Sequence, residues 1–222
     1  MIARLGGRGL TGRYTAVDAD PANIAAAESW LAAAGSPFAV ELVAGDVHAF
    51  ARRERGRRAW DLLVAHAFLD LMDVPALLPQ LFALLRPGGL FYFTINFDGA
   101  TILEPKIDPA LDELILQQYH ATMDRRIVDG VRSGDSRTGR HLYHALFDAG
   151  YEVLAAGSSD WVVGPTRGGY PDDEAFFLHF IVDTISGALV DDPALDRAAF
   201  EKWITERHRQ IDQHRLVFIA HQ

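Results

Sequence analysis

Apolar runs and helical spacings alternate through the first two thirds of the chain, the first at a period of two residues and the second near 3.6. Residues 1–5 read as a short helix and 13–17 as a strand. Residues 21–34 form the next helix, with Asp20 as its cap, Pro21 in its first turn and Gly35 as its stop. A strand over 38–43 and a short helix over 47–55 follow. Trp60 to Ala65 is apolar after its second residue, as a buried parallel strand should be. An apolar helix over 74–85 runs into Arg86-Pro87-Gly88-Gly89 and a strand over 90–96. The series predicts an α/β fold with a doubly wound, mostly parallel, Rossmann-like sheet joined by right-handed crossovers.

Residues 97–137 break the rhythm. They hold an amphipathic helix near 109–123 and then a loop rich in Gly, Asp, Arg and Ser. Order resumes with a helix over 138–149, a strand over 151–156 and two longer helices near 172–190 and 194–212. An apolar strand over 215–220 closes the chain, so the last two helices form a helical insertion or cap before the last strand. The expected organisation is one domain over 1–222, with a lid over 97–137 and a cap over 172–212. The cap could also serve as a homodimer surface.

Composition narrows the partners. The 222 residues carry a net charge of −9, which disfavours a nucleic-acid backbone as partner. The one basic run, Arg52 to Arg58, reads as a solvated loop. With no cysteine, disulfides, thiolate nucleophiles and thiolate metal sites are excluded together. No apolar run approaches the roughly 20 residues of a membrane span, and no signal peptide opens the chain. A cytoplasmic protein with no membrane partner is expected.

The chemistry is clearest at 14–21, where a short apolar run ends in Asp18 before Pro21 and a helix. A carboxylate at that strand end can accept from both hydroxyls of a nucleoside ribose. In order and spacing, three motifs resemble the class I S-adenosylmethionine-dependent methyltransferases. They are Ala-Val-Asp-Ala-Asp-Pro at 16–21, Ala-Gly-Asp-Val at 44–47, and Trp-Asp-Leu-Leu-Val-Ala-His-Ala-Phe-Leu-Asp-Leu at 60–71 with Leu-Leu-Arg-Pro-Gly-Gly-Leu at 84–90. The resemblance implies S-adenosyl-L-methionine as cofactor, with Asp18 and Ala19 at the ribose and Asp46 and Val47 at the adenine. It places Ala65, His66 and Ala67 along the crevice.

The resemblance also has a gap. The family's first strand and Gly-x-Gly-x-Gly turn, which let backbone approach the methionine end of the cofactor, have no counterpart ahead of Asp18. Gly6-Gly7-Arg8-Gly9 falls before a strand rather than between strand and helix. The expectation is a domain incomplete at its N-terminus, through a start codon placed late or a trimmed chain, and inactive as it stands if the loop is essential.

His66 is the candidate general base, since an imidazole titrates near neutrality. It could equally only line the site, because many methyltransferases work by proximity and alignment alone. A small-molecule acceptor would meet the polar set of the 96–140 segment: Asn96, Tyr119, His120, Met123, Arg126 and Arg137. Tyr119, Met123 and Arg126 share a helical face by spacing. Arg125, Arg126, Arg137 and Arg140 could hold a carboxylate or phosphate, or be a solvated face. His141 and His144 lie one turn apart without a third ligand in the motif, so no metal is expected. Phe176, Phe177 and Phe180 read as packing residues, and Trp161 and Tyr170 as candidate pocket walls. Two other classes stay open: a methyltransferase-like interaction module without cofactor, and a nicotinamide-dependent oxidoreductase, which also uses a strand-end acid.

Overall fold

The computed structural model describes residues 2–34, 36–95, 97–128 and 130–222. Gly35, the expected helix stop, and Asn96, an expected acceptor contact, lie outside the described residues. The chain divides into two compact units, Met1–Leu63 with Leu77–Phe91 and Val64–Ala76 with Tyr92–Gln222.

The order begins α1 (Ile2–Gly6), β1 (Gly12–Asp18), α2 (Pro21–Ala34), β2 (Phe38–Ala44), α3 (Val47–Glu54) and β3 (Trp60–His66). It continues α4 (Val74–Phe82), β4 (Leu85–Thr94), β5 (Thr101–Glu104), α5 (Pro109–Asp124), β6 (Ile127–Val128) and β7 (Val131–Arg132). It ends α6 (Thr138–Asp148), β8 (Asp160–Val163), α7 (Glu174–Leu189), α8 (Arg197–Asp212) and β9 (Val217–His221).

In the first unit β1 runs parallel to β2, with Asp18 opposite Ala44. A two-residue link cannot reverse direction between parallel strands, so α2 makes the crossover. Its start is set by Asp20, whose carboxylate accepts from the Ala22 amide, and by Pro21, which has no amide to leave unpaired. α3 turns Phe50, Ala51 and Glu54 inward; Phe50 and Ala51 form a small core with Leu84, backed by Val17, Val43 and Trp60. At α1, a Cβ on Gly6 would lie 2.3 Å from Pro37 Cγ, so only glycine lets the helix seat there.

β3 pairs with β4 in a second two-stranded sheet. The Arg86-Pro-Gly-Gly turn does not precede β4 but lies inside its span, with Gly88 at φ +73° in the left-handed region that favours glycine.

The second unit differs from the expected parallel order. β9 lies between β5 and β8 and is antiparallel to both. The expected strand over 151–156 does not form, and residues 151–159 have no regular structure. Pairing with the chain end begins only where Ser159 and Gln222 exchange backbone hydrogen bonds, so β8 starts at Asp160. Among the described residues the strands fall into four sheets rather than one doubly wound sheet. Alternation along β9 buries Phe218 and Ala220 in a large core with Leu103, Ile115, Trp203 and the Leu178–Val182–Ile185–Leu189 stripe of α7. α7 and α8 are also clasped by His179 and His208, whose Nδ1 atoms lie 2.7 Å apart. Among the described residues no helix is long and apolar enough to cross a membrane.

Candidate active-site residues

In the first unit, parallel pairing brings two acids to the carboxyl ends of neighbouring strands. The Gly45 amide donates to the Asp18 carbonyl at 2.8 Å and so locks the two strand ends together. Asp18 is half-buried. Its Oδ1 accepts from the Asp20 amide at 2.8 Å and its Oδ2 from Asn23 Nδ2 at 3.2 Å. These bonds fix the carboxylate without exhausting it, because each oxygen has two lone pairs. Asp46 is exposed and caps α3, Oδ1 accepting from the Ala49 amide at 2.8 Å. Its Oδ2 has no partner among the described residues and stays free for a ligand. Val47, half-buried, opens α3, and Ala19 is exposed beside Asp18.

In the second unit, Ala65 is buried at the end of β3 and His66 is exposed as its last residue. His66 Nδ1 lies 3.0 Å from Thr94 Oγ1, and the Tyr92 ring meets it edge-on at 5.1 Å. Ala67 holds φ +49°, strained for a residue with a Cβ, while its amide donates to the Thr94 carbonyl at 2.9 Å. Asp70, three residues on, has Oδ1 buried without a partner, and burial pushes its carboxyl above the ordinary range. A group with those properties beside a strand end is a functional candidate.

The acceptor candidates gather around α5. His120 Nε2 lies 3.1 Å from Thr101 Oγ1, and its ring packs against Phe97 at 5.0 Å. Burial pushes the imidazole below its usual value; Arg137 pushes the same way and Asp124 opposes both. Tyr119 packs against the large core, and burial raises its phenol. His120 thus feels the charge of Arg137, and its ring lies 6.1 Å from that of Tyr119. Met123 sits under Gly134, where a Cβ would lie 2.9 Å from the Met123 carbonyl. Arg126 is not on the helical face with Tyr119 and Met123, because α5 ends at Asp124 and Arg126 turns into the β6–β7 hairpin, exposed. Arg140 is not free for an anion: its Nε donates to Asp98 Oδ2 at 3.1 Å and a terminal nitrogen to the Asp98 carbonyl at 2.7 Å. His141 is held by Asp135 at 2.5 Å.

Sequence reasoning passed over Thr94, Asn23, Asp70 and Thr101. Thr94 and Asn23 carry a faint signal, being polar residues at a strand end and on the first turn of a helix. Asp70 stood in a motif already singled out, but nothing in its spacing told that an oxygen would be buried unpaired.

Residues 1–93 match the family model of a methyltransferase domain. That stretch, less than half of the chain, holds the motifs that resemble the class I S-adenosylmethionine-dependent methyltransferases. No curated protein sequence matches it. Solved structures it matches include a protein described as a candidate sarcosine dimethylglycine methyltransferase from Galdieria sulphuraria. That match has 13% identity and a TM-score of 0.39 over 99% of this chain and 81% of the other. Mycolic acid cyclopropane synthase CmaA1, in its apo-form, matches at 10% identity and a TM-score of 0.39 over 95% and 73%. Likeness at these scores carries no argument about fold or function.

Proposed function

We propose that the chain is a methyltransferase that binds S-adenosylmethionine and methylates a small molecule. The observation that supports this most is the pair of acids at the carboxyl ends of β1 and β2, where open α/β sheets bind ligands. Asp18, held by Asp20 and Asn23, accepts from the ribose hydroxyls, and Asp46 Oδ2 accepts from the adenine amine. The donor set fits a nucleoside: two acids with acceptor capacity, one half-buried and one open. S-adenosylmethionine, when bound, supplies a methyl group on a sulfonium.

Ala65 and Ala67 flank His66 at the end of β3. Thr94 holds His66 by Nδ1, which leaves Nε2 to take the proton of an acceptor oxygen or nitrogen. Tyr119, His120, Met123 and Arg137 contribute to the acceptor pocket, within a lid over 97–137, and 172–212 acts as a cap. Burial keeps His120 neutral near pH 7, so it can accept or donate a hydrogen bond without adding charge beside Arg137.

The test is calorimetric titration of S-adenosylhomocysteine into the chain and into Asp18→Ala. Losing charged hydrogen bonds of this kind should weaken binding about tenfold or more. Saturable binding that Asp18→Ala leaves unchanged removes the ribose role. A folded chain that binds nothing favours the interaction-module reading instead.

A further inference from the structure

A cavity of about 500 Å³ opens in the second unit between the segment after β5 and one face of α8. Its size is that of a small-molecule site. Four cations line it, Lys106, Lys202, Arg209 and Arg215, against one carboxylate, Glu206. That balance stands out in a chain of net charge −9. The sequence contains two lysines in all, and both are here. Lys202, Glu206 and Arg209 recur at helical spacing and so present one face of α8.

The charges divide into two kinds. Arg209 is committed: its guanidinium grips Glu206 through two hydrogen bonds, with Nε to Oε2 at 2.7 Å, and reaches Gln213 Oε1 at 2.9 Å. Lys106, Lys202 and Arg215 are uncommitted. They are exposed, and none makes a side-chain hydrogen bond or ion pair among the described residues. Arg209 holds the Glu206 carboxyl below its usual range, chiefly by hydrogen bonding, with Arg215 and Arg207 adding to the pull. The one acid on the wall is thereby matched, and three cations are left facing the space.

The wall is rigid. Arg207, fully buried, donates to the Pro105 carbonyl and to Gln210 Oε1, both at 2.8 Å, and its charge is answered by Asp112. Pro105 and Gln210 line the cavity, so the backbone beside Lys106 is pinned from behind. A fixed wall reduces the ordering cost of binding. Pro105 and Ile107 give it an apolar side.

We propose that this cavity binds a small organic anion carrying a phosphate group. Lys106, Lys202 and Arg215 would neutralise the phosphate oxygens, and Pro105 and Ile107 would contact the apolar body. Three separated cations suit a group with three acceptor oxygens and up to two negative charges. The site shares segments with the proposed lid and cap but uses none of the residues assigned to cofactor or acceptor, so its test does not depend on the methyltransferase reading.

The lysine count makes the test unusually direct. Reductive ¹³C-methylation keeps the charge and yields NMR signals from Lys106, Lys202 and the N-terminal amine. Inorganic pyrophosphate is titrated at constant ionic strength, with calorimetry on the unmethylated chain alongside. Both lysine signals should shift along one saturating curve while the terminal amine stays put. Arg215→Gln should weaken binding about tenfold, whereas Arg197→Gln, elsewhere on α8 and paired with Glu201, should not change it. Non-saturating drift shared by all three amines would mean charge screening and overturn the proposal. So would equal affinities for the chain and Arg215→Gln.

Discussion

The two units hold charge against apolar surface in opposite ways. In the first, Glu54 is 6% exposed, and Arg58 and then Arg53 hold its carboxyl down to about 2 by hydrogen bonding. Both arginines remain partly in water, and Arg58 also bridges to Glu41. Their guanidinium groups lie over the Phe50 and Trp60 rings, at 5.2 and 5.4 Å, so the ion network roofs the small core. In the second unit both partners are submerged. Arg207 is 0% and Asp112 1% exposed, and the pair also takes the Trp203 indole N–H, at 2.6 Å, and the Ile107 amide, at 3.0 Å. Burial pushes the Arg207 guanidinium down against the pull of Asp112. A rim pair can lose a partner to water. A submerged pair cannot.

The comparison is sharpened most by Asp112→Ala. The substitution strands the Arg207 charge, the Trp203 N–H and the Ile107 amide together in the interior. Breaking a buried pair from one side costs about 3–5 kcal/mol. Urea unfolding followed by tryptophan fluorescence should show that loss. It should shrink when Arg207→Met is added, because no orphan charge then remains. A loss below about 1 kcal/mol would mean that water reaches the pair.

Apolar truncation gives the next effect. Leu178, with no exposure, sits in the large core, and Leu84, at 4%, in the small one. Cutting a buried leucine to alanine costs about 2–5 kcal/mol, more where the surroundings cannot collapse. Leu178→Ala should lie at the upper end in equilibrium unfolding and Leu84→Ala at the lower. Equal losses would break the distinction between the units.

The two units were not equally legible in the sequence. β1, α2, β2, α3 and β3 lie within a residue or so of the expected spans, because each is local: a cap, a first-turn proline, an apolar run. Asp18 stood out because a strand-end acid is a local pattern too. The basic run 52–58 is largely exposed, as a solvated segment should be, but composition cannot tell that its Arg53 and Arg58 fold back onto Glu54. In the second unit the helices were visible, but the sheet was not. β5 is four residues long, and β8 was displaced by the apolar 151–156 run, which finds no strand to pair with. Strand pairing at such distance is not encoded in period or propensity. The same holds for Asp112, a surface-type residue by composition, whose partner Arg207 lies 95 positions away.

The smallest effect tests the proposed acceptor contacts of the second unit. His120 is neutral in the fold chiefly because burial disfavours the imidazolium, with Arg137 adding to this. Its folded value lies below the unfolded value of about 6.5, so between the two the unfolded chain binds more protons. Stability is therefore undiminished above about 6.5, falls as pH drops below it, and loses nothing further once pH is under the folded value. Other acids contribute to the same limb, so the informative quantity is a difference. His120→Gln keeps a hydrogen-bonding group near Thr101 Oγ1 and has no proton to gain. Its stability should fall less than that of the parent between pH 7 and pH 5, by parallel denaturant titrations at each pH. Identical pH profiles would mean that the ring protonates in place, with water reaching it beside Thr101. The Phe97–His120–Thr101 cluster would then be open rather than packed, and His120 would lose its standing as a neutral contact in an acceptor pocket.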